Sequence, residues 1–154
     1  MIAGLTVKGA TPLPTNQYYK AKVLDLEEAM IREFGMAENT DAIAPINHYH
    51  CEGNYAREIL IPIGSCIIGK IHKHEHINVL SKGSCWVVTE AGREFIEAPR
   101  TWISSPGIKR AVFAVTDVVW TTIHPTESSD LDEIEEEVIA KDYSELDKFI
   151  GVTL

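Results

Sequence analysis

The feature that most limits the fold of this chain is a run of short β-prone segments with no helical pattern between them. Between Tyr55 and His124 the candidates are Ala56–Ile61, Cys66–Ile71, His76–Leu80, Cys85–Thr89, Glu94–Glu97, Thr101–Ser104, Arg110–Val115 and Val118–Ile123. They are rich in β-branched and aromatic residues, and turn residues such as Pro62, Gly64, Gly83, Gly92, Pro99 and Gly107 separate them. Short strands with a turn every few residues predict a mainly β fold, an antiparallel barrel or sandwich.

Outside that run the chain divides into two flanks. Residues 1–54 read as an N-terminal arm, a short helix and a loop. Pro12 and Pro14 keep the first twenty residues irregular. Asp25 to Phe34 follows as a helix, with Asp25 as cap, Glu28 completing a capping box and Gly35 as the stop. Leu26, Ala29, Met30 and Phe34 form its packed face. Residues 36–56 read as mostly loop with one short strand at most. Residues 125–154 form an acidic helical segment, in which Leu131, Ile134 and Val138 make a narrow apolar stripe and Glu135–Glu137 a solvated face. With 154 residues, these parts fit one domain.

Charge and cysteine content narrow the setting. A formal net charge of −9 with no basic stripe excludes a nucleic-acid backbone as the main partner. No stretch reaches the roughly 18 apolar residues of a membrane span, and the N-terminus lacks a signal-peptide pattern. Cys51, Cys66 and Cys85 form no CxxC pair and read as buried reduced thiols, which together with the missing leader predicts a cytoplasmic protein.

The chemistry concentrates in His72-Lys73-His74-Glu75-His76. Three imidazoles at alternate positions share one face of a strand, and neutral imidazole is a ligand for zinc, iron, copper and nickel. In a straight strand, however, the Cα atoms of His72 and His76 stand about 13 Å apart at ~3.3 Å per residue. Either the chain kinks near Glu75 or one histidine lies outside the ligand set. Other reactive signatures are missing: no GxSxG elbow, no Walker-type loop and no dinucleotide fingerprint.

These motifs resemble those of the cupin superfamily across residues 58–124. In that likeness His72 and His74 stand as the HxH pair. His76 takes the third-ligand position, usually Glu, with six residues between it and Gly83. Ser105-Pro106-Gly107-Ile108-Lys109-Arg110 is similar to the second motif, with Arg110 where a histidine ligand is usual, and Cys66 stands near the place of an early glycine. The resemblance implies an antiparallel cupin or jelly-roll barrel holding a divalent ion (Fe, Mn, Zn or Ni) on His72, His74 and His76. A small homodimeric or otherwise homo-oligomeric protein is implied as well.

Arginine cannot ligate a metal, but inside a barrel it suits an anionic small molecule; a surface salt bridge is the other reading of Arg110. His124 replaces the missing ligand if a hairpin of Arg110–Val115 with Val118–His124 turns it inward, and one residue of register decides this; a capping or core histidine is its other reading. His48 and Tyr55 are further candidates for the pocket wall, and Glu75 is a candidate acid or base by adjacency alone. Three functions stay open: a metal-binding protein acting on a small anionic molecule, a non-catalytic binder of a metabolite or signalling nucleotide like small bacteriophage cupin-like proteins, and an assembly component.

Overall fold

The computed structural model describes residues 15–34 and 44–151. Helix α1 spans Thr15–Phe34 and starts ten residues before the expected cap. Nothing between Thr15 and Asp25 breaks a helix, and Pro12 and Pro14 precede it, where proline is tolerated. Asp25 is therefore no cap but a mid-helix residue, paired with Lys22 across one turn at 3.8 Å. Val23 is the buried anchor, whereas Leu26 is 38% exposed, so the packed face is rotated from the expected one. The side chain of Phe34 and the expected stop at Gly35 lie outside the described residues.

The strands are β1 (Ile46–Cys51), β2 (Asn54–Ile61), β3 (Cys66–Ile68), β4 (Ile71–His72), β5 (His76–Lys82), β6 (Ser84–Thr89), β7 (Gly92–Glu97), β8 (Arg100–Ser104), β9 (Ala111–Ala114), β10 (Val118–Pro125) and β11 (Ile139–Ala140). Helices α2 (Leu131–Val138) and α3 (Tyr143–Phe149) lie near the C-terminus. Strand β1 falls in the stretch expected to be mostly loop. Its sequence INHYHC carries polar residues on both faces, so alternation of hydrophobicity does not mark it. Cys51 ends that edge strand and is exposed, Cys66 is half-buried and Cys85 is buried, which corrects the expectation that all three thiols are buried. No helix among the described residues is long and apolar enough to cross a membrane.

All pairings are antiparallel. One sheet has the order β1-β2-β10-β5-β8, a second β3-β9-β6-β7, and β11 pairs with β4 alone. The expected hairpin of β9 with β10 does not form: β9 pairs with β3 and β6, and β10 with β2 and β5. The chain crosses between the sheets at Thr116 and Asp117. Thr116 Oγ1 accepts the Ser84 N–H at 2.9 Å, and Asp117 Oδ1 accepts the Ile63 N–H at 2.9 Å. The face of His124 is thus set by β2 and β5, not by β9.

Residues paired across a ladder share a face, so the register sorts the inner wall of the larger sheet into rungs. Ile59, Trp120 and Leu80 form an apolar rung that joins Ile61, Cys85, Val87, Val112 and Val118 in the core between the sheets. The next rung outward holds His48, Arg57, Thr122, Asn78 and Trp102. The last holds His50, Tyr55 and His124, with His76 beside Ser104. The barrel is therefore apolar at one end and polar at the other.

The crossing depends on Gly83, whose φ is +85°. An added Cβ there would lie 2.1 Å from the Asp117 carbonyl oxygen. Gly83→Ala is expected to cost about 2 kcal/mol or more of unfolding free energy, from backbone strain and the clash together. Urea denaturation measures it; an unchanged midpoint would contradict this account of the corner.

Candidate functional site

The polar end encloses a cavity of about 140 Å³. Ile59, Ile61, Val112 and Trp120 line it from the core side, and Ile134 and Val138 of α2 from outside. Helix α2 forms there because Asp130 caps it, its carboxylate accepting the N–H groups of Asp132 and Glu133. Ile134 and Val138 then seat on Tyr55 in a small buried cluster. Beyond the helix, β11 pairs Ile139 with His72, and the Lys73 N–H donates to the Val138 carbonyl at 2.8 Å. The C-terminal segment thus closes one wall and holds the first histidine in place. Glu135 of the acidic run reaches this wall, where it pairs with Lys70.

The histidine run is kinked. His72 ends β4, Lys73 and His74 form a bend, and His76 opens β5. The bend brings the His72 and His76 rings to 4.1 Å between centroids, and His124 comes within 5.1 Å of His72 and 4.9 Å of His76. His74 is not in this group. It is exposed, with its ring edge-on to Phe149 at 5.0 Å. Glu75 is exposed as well and does not line the cavity.

Burial keeps the three imidazoles neutral. It is the main cause in each case and lowers His72 to about 2 and His124 to about 4, with further lowering from the neighbouring histidines. His76 is also lowered by burial, partly offset by its hydrogen bond to the His74 carbonyl. That bond, at 3.2 Å, makes His76 Nδ1 the donor and leaves Nε2 with a bare lone pair. His76 Nε2, His72 Nδ1 and His124 Nδ1 are all buried without a hydrogen-bond partner. Such atoms are uncommon in folded proteins and point to an external partner.

Arg110 enters from the loop before β9 and is 8% exposed. Its Nη2 donates to Ser104 Oγ, and its guanidinium lies 5.6 Å from the Trp120 ring centroid. Ser104 Oγ also accepts from Asn78 Nδ2 at 2.9 Å, and Asn78 Oδ1 accepts from Trp120 Nε1 at 3.1 Å. Burial lowers the Arg110 pKa to about 10, so the group stays charged at neutral pH. No carboxylate among the described residues pairs with it, so the surface-salt-bridge reading of Arg110 does not hold. Tyr55 is buried, and its hydroxyl is 2.7 Å from His48 Nδ1; both line the cavity. Arg57, Asn78 and Ser104 were not singled out in the sequence. Once Tyr55 is known to face inward, strand alternation marks Arg57, whereas the other two need the sheet register.

As a donor set, three neutral buried imidazoles with bare nitrogens fit the chemistry of a divalent transition metal. Their present arrangement is not that of an ion site. Among the described residues no three His, Cys, Asp or Glu side chains are grouped to hold a metal. The three rings lie against one another, inclined by 37°, 13° and 32°.

The neutral histidines make stability depend on pH. Unfolded, they titrate near the ordinary 6.5; folded, they resist protonation. The unfolded chain then binds more protons below that value, so stability is full above about pH 6.5 and falls as the pH drops toward about 4. The expected slope is about 1.4 kcal/mol per pH unit for each histidine held neutral, and it should be shallower in His124→Gln. Urea titrations across this range measure it, and a flat profile would contradict the burial of neutral imidazoles.

No protein-family model matches the sequence, and no curated protein does. Solved structures do match. Ectoine synthase from P. lautus aligns with a TM-score of 0.50 at 12% identity, over 62% of this chain and 72% of that one. An RmlC-like cupin family protein with a double-stranded β-helix fold from Methanocaldococcus jannaschii gives 0.46 at 12% identity, over 62% and 88%. A cupin domain from Bordetella pertussis Tohama I gives 0.44 at 17% identity, over 54% and 93%. At 12% identity the likeness to ectoine synthase is one of fold alone. Over the aligned part this chain shares that fold, here built as an antiparallel β-barrel of two sheets.

Proposed function

We propose that the cavity binds a small anionic molecule, with an acid group on the Arg110 guanidinium and an apolar body against Trp120 and Val112. The observation that carries this is the charge on Arg110. A buried guanidinium without an anion is costly, and one hydroxyl answers only part of its five N–H donors. Its planar fork suits a carboxylate held by two parallel hydrogen bonds. The Trp120–Asn78–Ser104 chain fixes the position of that fork, and the apolar lining excludes water around it. This reading is one of binding and needs no turnover.

Replacing Arg110 separates a ligand anchor from a structural charge. Arg110→Met keeps the volume and removes a buried charge that has no carboxylate partner. The ligand-free variant is therefore expected to be as stable as the parent or more so. Affinity for small carboxylates, read by calorimetry, is expected to fall by about 2 kcal/mol or more, roughly thirtyfold. A variant that binds carboxylates as the parent does would overturn the proposal.

The bare nitrogens of His72, His76 and His124 favour a second reading, a divalent metal ion beside the acid group. The three side chains would have to shift to share it. When bound, the ion would supply a Lewis acid at the ligand; the chain's own residues orient the molecule and keep water out. Elemental mass spectrometry after reconstitution is expected to find near-stoichiometric metal in the parent and in His74→Ala, and none in His72→Ala/His124→Ala. Protein that stays metal-free would exclude this reading and leave the anion site standing.

A further inference from the structure

We propose that Arg57 is a second anion anchor, and that the ligand is a small dicarboxylate with one acid group on each guanidinium. The inference rests on the anion reading above and adds the class of molecule. Arg57 occupies the second inner rung, paired with His48 on one side and Thr122 on the other. Tyr55 and Ile59, two residues away on either side, face the same cavity, and Arg57 itself lines it. It is half-buried and makes no ion pair with any carboxylate of the described residues.

The charges on the cavity wall do not cancel. Arg57, Arg110 and Lys70 line it, against Glu135 as its one carboxylate, and Glu135 is already committed to Lys70. Two guanidiniums remain unanswered inside a chain of formal net charge −9. The neutral histidines add no charge to the account. A ligand that balances this wall carries two negative charges.

The placement of the two arginines separates those charges. Arg110 is held by Ser104 on β8, while Arg57 projects from β2, and in the sheet order β1-β2-β10-β5-β8 the two strands stand three steps apart. At about 4.8 Å per strand the anchor points are roughly 14 Å apart before the side chains reach inward. Two acid groups joined by a short apolar chain answer both forks. A single compact dianion such as phosphate, seated on Arg110, leaves Arg57 unanswered. The Trp120 and Ile59 side chains, which line the same cavity, suit the methylenes of such a chain.

The test is calorimetry on the full chain at neutral pH with glutarate, pentanoate and inorganic phosphate. Glutarate and pentanoate share a chain length and differ by one acid group. Glutarate is expected to bind at least about tenfold more tightly than pentanoate, the value of one charge-assisted contact. Arg57→Gln is expected to bring that ratio close to one, and Arg57→Lys, which keeps the charge and loses the fork, to restore part of it. A parent ratio near one, a ratio that survives in Arg57→Gln, or phosphate binding more tightly than glutarate would each overturn the second anchor. If pentanoate still binds through Arg110 in those cases, the anion reading survives alone. If neither acid binds, both readings fall.

Discussion

The polar end of this barrel depends on a chain of hydrogen bonds running from Trp120 Nε1 through Asn78 and Ser104 to the Arg110 guanidinium. Its members come from β10, β5 and β8 of one sheet and from the loop that opens β9 in the other. All four residues are buried. Each acceptor in the chain is satisfied by the next donor, so the network meets the requirement that buried polar groups be paired. The exception is the charge at its end. A fold that needed only a satisfied core would place a neutral residue there; the guanidinium is what the network is left holding toward the cavity.

The histidines follow a related logic through a different constraint. A straight strand would spread His72 and His76 too far apart to meet. The bend at Lys73 and His74 folds them face to face instead, and the C-terminal segment holds that bend. Ile139 pairs with His72, Val138 accepts from the Lys73 N–H, and the Lys73 ammonium reaches the Glu136 carbonyl at 2.7 Å and Glu145 at 3.2 Å. The acidic tail thus acts as a wall and a clamp, and the part of the molecule with the least β-pattern completes the cavity.

Much of the barrel was legible in the sequence because glycine and proline mark its corners and β-branched residues its strands. Most predicted strands lie within two residues of the observed ones. What escaped is what local pattern cannot carry. Strand β1 has polar residues on both faces, since His48 lines a polar cavity and His50 lies beside Tyr55 on the same face. The crossing at Thr116–Asp117 resembles a hairpin turn, and only contacts from Gly83, Ser84 and Ile63 send it to the other sheet. Of the expected metal ligands, His72, His76 and His124 meet and His74 does not, because the kink that unites its neighbours turns the middle residue out to Phe149. Arg110 was visible through motif spacing. Arg57 was not, since its meaning rests on which face of β2 is inward.

A gradient from apolar to polar along one sheet face joins these features: Ile61 and Val118 in the core, then Trp120 and Ile59, then Arg57 and Asn78, then the neutral imidazoles. It gives a bound molecule a direction, with its apolar part inward and its charged parts held at fixed points. A crystal structure of the protein grown with saturating glutarate tests this most directly. The account predicts density for the acid inside the barrel, with a carboxylate on the Arg110 guanidinium and the methylenes against Trp120. Glutarate bound only outside the barrel, with the Arg110 guanidinium facing no anion, would contradict it.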